Sequence, residues 1–200
     1  MVSASDTVAL RQPDPGPSDT GHGASDSDQA LPLLARARAA AAAVTDPEIP
    51  VVTLEDLGIL RSVSLAAGRI QVVLTPTYTG CPATDAIRDE VARALERCGV
   101  RDPDIRIELA PAWTTDWISP TGRDKLKQYG IAPPQACAQP GDTASAVLRF
   151  VARPRSHKGL ACPRCEAHAV ELVSEYGSTP CKALYRCLSC REPFDYFKPY

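Results

Sequence analysis

Histidine is scarce in this chain: His22, His157 and His168 are the only three, and none lies near Cys81. That counts against a Cys-His hydrolase, whose nucleophile needs a neighbouring base. There is no Glu-x-x-His motif and no set of long helices to carry one, which excludes a bundle-type di-iron oxygenase. A glycine-rich dinucleotide fingerprint is also missing, so a nicotinamide or flavin reductase is excluded. No apolar run approaches the ~20 residues that span a bilayer, and no membrane partner is expected. The first thirty residues lack an apolar h-region and carry Asp6, Asp14, Asp19, Asp26 and Asp28, so they do not read as a secretory signal. Aromatic residues are few, at 6%. A net charge of −2 gives no general reason to expect nucleic acid as a partner.

What the chain does have is cysteine, eight in 200 residues. Without an export signal, that number places the expected site of action in the reducing cytoplasm. There, Cys-x-x-Cys pairs bind metal more often than they form disulfides. Composition divides the chain. Residues 1–28, rich in Ser, Asp, Gly and Pro, cannot bury enough surface to offset ordering entropy and are expected to be disordered. A helix is expected from Leu31 to Val44, closed by Pro47. Alternation predicts a hairpin through Val63 and Leu65, a turn at Ala67-Gly68, then Ile70, Val72 and Leu74. A helix from Pro82 to about Cys98 follows, with Ile87, Val91, Ala94, Leu95 and Cys98 as its apolar stripe and Gly99 as its stop. Ile105 to Leu109 alternates as a third strand. Ser119 and Pro120 open a short helix over 119–129. These elements predict an α+β domain over 31–131, a three-stranded sheet with helices. A Pro-rich linker over 132–146 leads to a mostly β zinc ribbon over 147–200. The charge is uneven: thirteen Lys and Arg face nineteen Asp and Glu in 1–146, against nine and five in 147–200.

The ribbon expectation rests on Cys162-Pro-Arg-Cys165 and Cys187-Leu-Ser-Cys190. Each Cys-x-x-Cys turn aims two thiolates at one ion, and two turns complete a tetrahedron. Thiolates favour zinc or iron over hard cations. Some forty residues hold too little core to fold alone, and a structural Zn2+ supplies on the order of 10–16 kcal/mol. Two disulfides, four free thiols, or iron on the same thiolates are the alternatives. Four protein ligands leave no open position, so the metal is expected to be structural. Cys181 is either an additional thiol near this metal or a small buried apolar residue. Arg149, Arg153, Arg155 and Lys158 upstream could meet phosphate, but only Phe150 accompanies them, a weak nucleic-acid signal.

A second chemical feature is the run Thr75 to Pro82, where a strand ends and Cys81 meets the start of the long helix. The helix dipole there is expected to lower the thiol pKa, suiting a nucleophile, a redox thiol or a ligand for a transferred metal. The bland alternative is a simple N-cap. Cys98 is expected to be structural, and Cys137 a free thiol. Trp113 and Trp117 flank Asp116 just after a strand, as a packed cap or as a wall of a pocket around Cys81.

Asp46-Pro47-Glu48-Ile49-Pro50, Asp56-Leu57-Gly58-Ile59 and Thr75-Pro76-Thr77-Tyr78-Thr79-Gly80-Cys81-Pro82 resemble the iron–sulfur assembly factor family that includes SufT. The stretch Glu175 to Cys187, with Glu192-Pro193-Phe194-Asp195-Tyr196-Phe197-Lys198, resembles the PaaD family of phenylacetate catabolism. Together the resemblances cover residues 31–200 apart from the linker. They imply an accessory or maturation role for the phenylacetyl-CoA epoxidase complex, non-catalytic in itself. The implied partners are the epoxidase components, the ferredoxin-type reductase above all. The implied cargo is transient iron or an Fe-S cluster, with Cys81 at the position of the family's reactive cysteine. One departure is the end of the chain, which lacks the cysteine that often follows Lys198 in the family. The other readings are a nucleic-acid-binding zinc-ribbon protein and a thiol-dependent enzyme using Cys81.

Overall fold

The computed structural model describes residues 26–134 and 159–199. The rest of the expected tail and linker, with Cys137, His22, Arg149, Phe150, Arg153, Arg155, His157 and Lys158, lies outside the described residues. Helix α1 (Asp26–Ala42) begins earlier than expected and carries Pro32 within it. Ala37 and Ala41, four residues apart and therefore on one face, are fully buried.

The hairpin forms as alternation requires. Strand β1 (Leu60–Ala66) pairs antiparallel with β2 (Arg69–Leu74) across the Ala67-Gly68 turn. Both turn residues have positive φ, the geometry that matches the strands' own twist. Helix α2 (Thr84–Arg97) then packs Ile87, Val91, Ala94 and Leu95 inward. Strand β3 (Asp104–Ile107) lies parallel to β2, which sits in the middle of the sheet. Helix α3 (Pro120–Tyr129) starts at Ser119, whose hydroxyl accepts the Gly122 N–H at 2.9 Å. Gly130, left-handed at φ 92°, ends it.

The chain does not then leave for a linker. Ile131–Ala132 is strand β4, parallel to β7 (Pro193–Phe197) in a second sheet ordered β4-β7-β6-β5, with β5 at Val170–Ser174 and β6 at Lys182–Cys187. Ala132, the first residue of the expected linker, is 1% exposed in the ribbon's core. The architecture is thus α+β, a three-stranded mixed sheet with helices followed by a β ribbon. Among the described residues, no helix is long and apolar enough to cross a membrane.

Two glycine contacts fix how α3 meets the first lobe. A Cβ on Gly122 would come within 2.7 Å of the Asp56 carbonyl oxygen. Gly58, at φ +68°, has no room for one either, with Trp117 Cβ 2.6 Å away. Asp56 holds the same corner. Its carboxylate accepts the Thr53 N–H at 3.0 Å, the Ser119 hydroxyl at 3.3 Å and the Lys125 ammonium at 2.6 Å. Burial pushes this carboxyl upward, but Lys125 and the Thr53 N–H overcome that and hold it below the ordinary carboxylate range.

Gly58→Ala adds both positive-φ strain and a backbone clash, and should destabilise by about 2–4 kcal/mol in urea unfolding. The depressed Asp56 pKa gives stability that is complete above its unfolded value of about 3.9 and is lost as pH falls through the folded one. Asp56→Asn should therefore lower stability at neutral pH by about 2 kcal/mol and flatten its decline below about pH 4, measured as Tm against pH.

Candidate metal centre and working thiol

The sequence brings Cys162 and Cys165 to one turn, and Cys187 and Cys190 to another at the end of β6. Their four Sγ atoms all lie within 4.8 Å of one another. Cys162 Sγ is 3.8 Å from Cys190 Sγ, and Cys165 Sγ is 3.5 Å from Cys187 Sγ. A tetrahedron with metal–sulfur bonds of about 2.3 Å has edges of about 3.8 Å, so the set fits a metal ion. Disulfides would need about 2.05 Å, and all seven cysteines among the described residues are unbridged.

The two turns are built alike. Glu166 N–H donates to the Cys162 carbonyl, and the residues four beyond each leading cysteine, Glu166 and Arg191, have φ of 61° and 68°. Neither is glycine, so each turn holds a left-handed residue at some cost. The Cys190 N–H points to Cys187 Sγ at 3.5 Å and holds that thiol down to about 6. Cys190 receives the Glu192 N–H, yet burial and the three other thiols push it up to about 12. A dication displaces the shared protons and makes all four donors thiolates. Beneath the site, Leu160, Tyr185, Phe194 and Tyr196 form the ribbon's own core, with Tyr185 edge-on to Tyr196 at 5.7 Å.

Cys181 is not in this cluster. It is 7% exposed and belongs to the core of the first lobe, with Phe197. Of the two expectations for it, the additional thiol near the metal is therefore corrected. The strand that delivers Cys187 to the metal begins one residue after Cys181, and the length of β6 holds the two ends apart. Thr179 Oγ1 lies 3.0 Å from its sulfur. Phe197 sits 6.0 Å from the ring of Trp113, so the last strand of the ribbon plugs the first lobe.

Cys81 lies in a turn rather than on the helix. Its N–H donates to the Tyr78 carbonyl and its own carbonyl accepts from both the N–H and the hydroxyl of Thr84. The helix starts at Thr84, with Ala83 as N-cap, two residues later than the expected start at Pro82. The expected lowering of its pKa is corrected accordingly. Burial pushes the Cys81 thiol up, outweighing the Ala83 N–H, and the Glu48 and Asp46 carboxylates add to the rise. Asp46 is the residue whose role the sequence did not reveal. Buried, it accepts the N–H groups of Glu48 and Ile49 at 2.8 Å each and so fixes the Asp46–Pro50 turn. Burial also raises its own pKa. Lys182, 4% exposed and paired with Asp195 at 3.4 Å, was likewise missed. An interior lysine gives no periodic signal.

Trp113 is a packed cap, and the cleft it walls is not the expected pocket around Cys81. Its indole N–H donates to the Leu57 carbonyl at 2.9 Å. Its ring also lines a cleft of about 350 Å³ with Thr75, Pro76, Thr77, Tyr78, Thr79 and Leu109. Cys81 does not line that cleft. Trp117 instead carries the Arg61 guanidinium 3.4 Å from its ring centre, and Asp116 is exposed. Cys98 donates its S–H to the Leu95 carbonyl at 3.1 Å, a structural role.

Comparison with known proteins fits this division. A family described as "Iron-sulfur cluster assembly protein" matches residues 34–103, and one described as "PaaD zinc beta ribbon domain" matches 149–198. A protein of Escherichia coli (strain K12), provisionally named as a component of 1,2-phenylacetyl-CoA epoxidase, is 45% identical over 78% of this chain and 86% of its own length. The chain belongs to the PaaD family. The first lobe of this PaaD-family chain also resembles an Fe-S protein maturation auxiliary factor of Porphyromonas gingivalis, 38% identical over 38% of this chain and 73% of that protein. A solved structure of the domain of unknown function DUF59 from Bacillus anthracis covers 48% of the chain and 92% of its own, at 23% identity and a TM-score of 0.44.

In the intact protein, metal analysis should find close to one zinc per chain. Cys165→Ser, which changes an exposed ligand and leaves no cavity, should lose nearly all of it and with it the β signal of the ribbon in circular dichroism.

Proposed function

We propose that this protein is an accessory maturation factor for a phenylacetyl-CoA epoxidase complex in phenylacetate catabolism. It assists insertion of iron or an Fe-S cluster, with Cys81 as a transient ligand and the ferredoxin-type reductase as the client. Zn2+ on Cys162, Cys165, Cys187 and Cys190 is structural in this reading. Residues 31–131 carry the working thiol, and 147–200 are the docking module, with Ala132 packed into its core.

The observation that carries the reading is the separation of thiol types. Four cysteines are committed to one closed tetrahedral set. Cys81 stands outside it, half-buried, in a turn whose neighbours are carboxylates rather than a base. A thiol-dependent enzyme would need Cys81 activated by a histidine or a lowered pKa. Its pKa is raised, and among the described residues no imidazole acts on it. A metal ligand needs neither, because the ion itself displaces the proton. Sequence kinship supports the same reading, since one relative is named as an epoxidase component and another as an Fe-S maturation factor.

Cys81→Ser should leave folding and the zinc content unchanged. Co-expressed with the epoxidase components, it should lower the iron and acid-labile sulfide of the purified reductase several-fold. Full cluster loading in that strain would refute the maturation role.

A further inference from the structure

The carboxyl ends of β2 and β3 open into a cleft that neither the four-thiol set nor Cys81 occupies. The two strands run parallel, and beyond Ile107 the Glu108 N–H still donates to the Leu74 carbonyl at 2.9 Å. There the chains part. Thr75 to Thr79 form one wall, and Leu109, Ala112 and Trp113 the other, around about 350 Å³. That volume is at the small end of ligand pockets, room for one ring and its nearest polar neighbours. The Trp113 wall is fixed in place, because the Leu57 carbonyl holds its indole N–H and Phe197 packs against its ring.

The lining points to the chemistry of an occupant. Among the described residues, no charged side chain lines the cleft. A phosphate, carboxylate or ammonium seated there would lose water and gain no ionic partner. Tyr78 and Trp113, one on each wall, offer ring surface instead. Thr75 and Thr77 also line the cleft, although they are only 3% and 8% exposed. Among the described residues, no hydrogen bond engages either hydroxyl, and neither oxygen is sealed off from the cleft. Hydroxyls so deeply set are normally paired. Each can donate to a carbonyl or accept from an amide.

We propose that this cleft is a binding site for one uncharged aromatic ring with an amide or carbonyl beside it. The ring lies between Tyr78 and Trp113, and the polar group meets the hydroxyls of Thr75 and Thr77. A free aryl amide carries this chemistry, and so does an aromatic residue within an extended chain. The first wall runs on into the turn of Cys81, whose N–H donates to the Tyr78 carbonyl at 3.3 Å. An occupant is therefore held next to the turn that carries that thiol. Binding in the cleft does not depend on what Cys81 does, and only the use made of this proximity rests on the maturation reading.

The test is an amide NMR titration of the full zinc-bound chain with benzamide, N-acetylphenylalanine amide and benzoate. Both amides should shift the signals of residues 75–79 and 109–113 saturably, the Trp113 indole N–H included, and leave the Cys-x-x-Cys turns unmoved. Benzoate, the charged counterpart of benzamide, should bind about tenfold more weakly or worse. Thr77→Val keeps the shape and removes one hydroxyl, and should weaken both amides about fivefold. Ala112→Trp fills the cleft from an exposed position, and should abolish binding with the fold and zinc content unchanged. Tighter binding of N-acetylphenylalanine amide supports the site with a chain residue as its occupant, and tighter binding of benzamide supports it with a free aryl amide. No saturable shift with either amide overturns the proposal. So does benzoate binding as tightly as benzamide, or undiminished binding in Thr77→Val or Ala112→Trp. The reductase-loading experiment with Cys81→Ser stands apart from every one of these outcomes.

Discussion

The contact of Phe197 with Trp113 is the constraint on which the rest of the molecule depends. It joins two lobes that would otherwise be separate, because Phe197 ends the ribbon's sheet and yet is buried in the first lobe's core. Trp113 in turn is held by the Leu57 carbonyl, beside the Gly58 corner where Trp117 leaves no room for a side chain. Strand β4 adds a backbone link on the same side, pairing with β7 at Ile131 and Ala132. The ribbon's position is therefore set by apolar burial and main-chain hydrogen bonds together, and the Lys127–Glu166 ion pair at 2.6 Å is a minor, exposed addition.

This docking separates the cysteines by role. Those at one end of β6 and in the opposite turn gather as one four-thiol set that fits a metal ion. The one before β6 is carried into the core of the first lobe. One strand of six residues thus separates Cys187, in the four-thiol set, from Cys181, in the core of the first lobe. The same logic explains the buried Lys182, which follows Cys181 into the interior and finds Asp195 on the neighbouring strand.

The paired Cys-x-x-Cys turns were legible from spacing alone, because tetrahedral thiolate chemistry dictates that spacing. The hairpin, the apolar stripe of α2 and the Ser119 cap were legible because each obeys a local rule. What escaped were features set by contacts distant in sequence. The place of Cys181 follows from how two lobes dock, which no local pattern encodes. The start of α2 at Thr84 rather than Pro82 moved Cys81 off the helix end, and with it went the argument for a lowered pKa. The two-residue strand β4 is too short for alternation to mark, and it sits where prolines read as linker. Asp46 lay inside a motif that could be quoted, but its hold on the Glu48 and Ile49 N–H groups required three dimensions.

Glu166 and Arg191 give the ribbon a further property. Each is a non-glycine residue held in left-handed backbone within a metal-binding turn. Such geometry persists only where its surroundings impose it, and here each such residue adjoins a Cys-x-x-Cys turn of the four-thiol set. An ion leaving the four thiols would let both turns relax, and β6 and β7 would lose their shared anchor. Phe197 would then have no fixed strand to hold it against Trp113. Metal bound at one end of the molecule would thereby reinforce, as a mechanical latch, the apolar docking at the other.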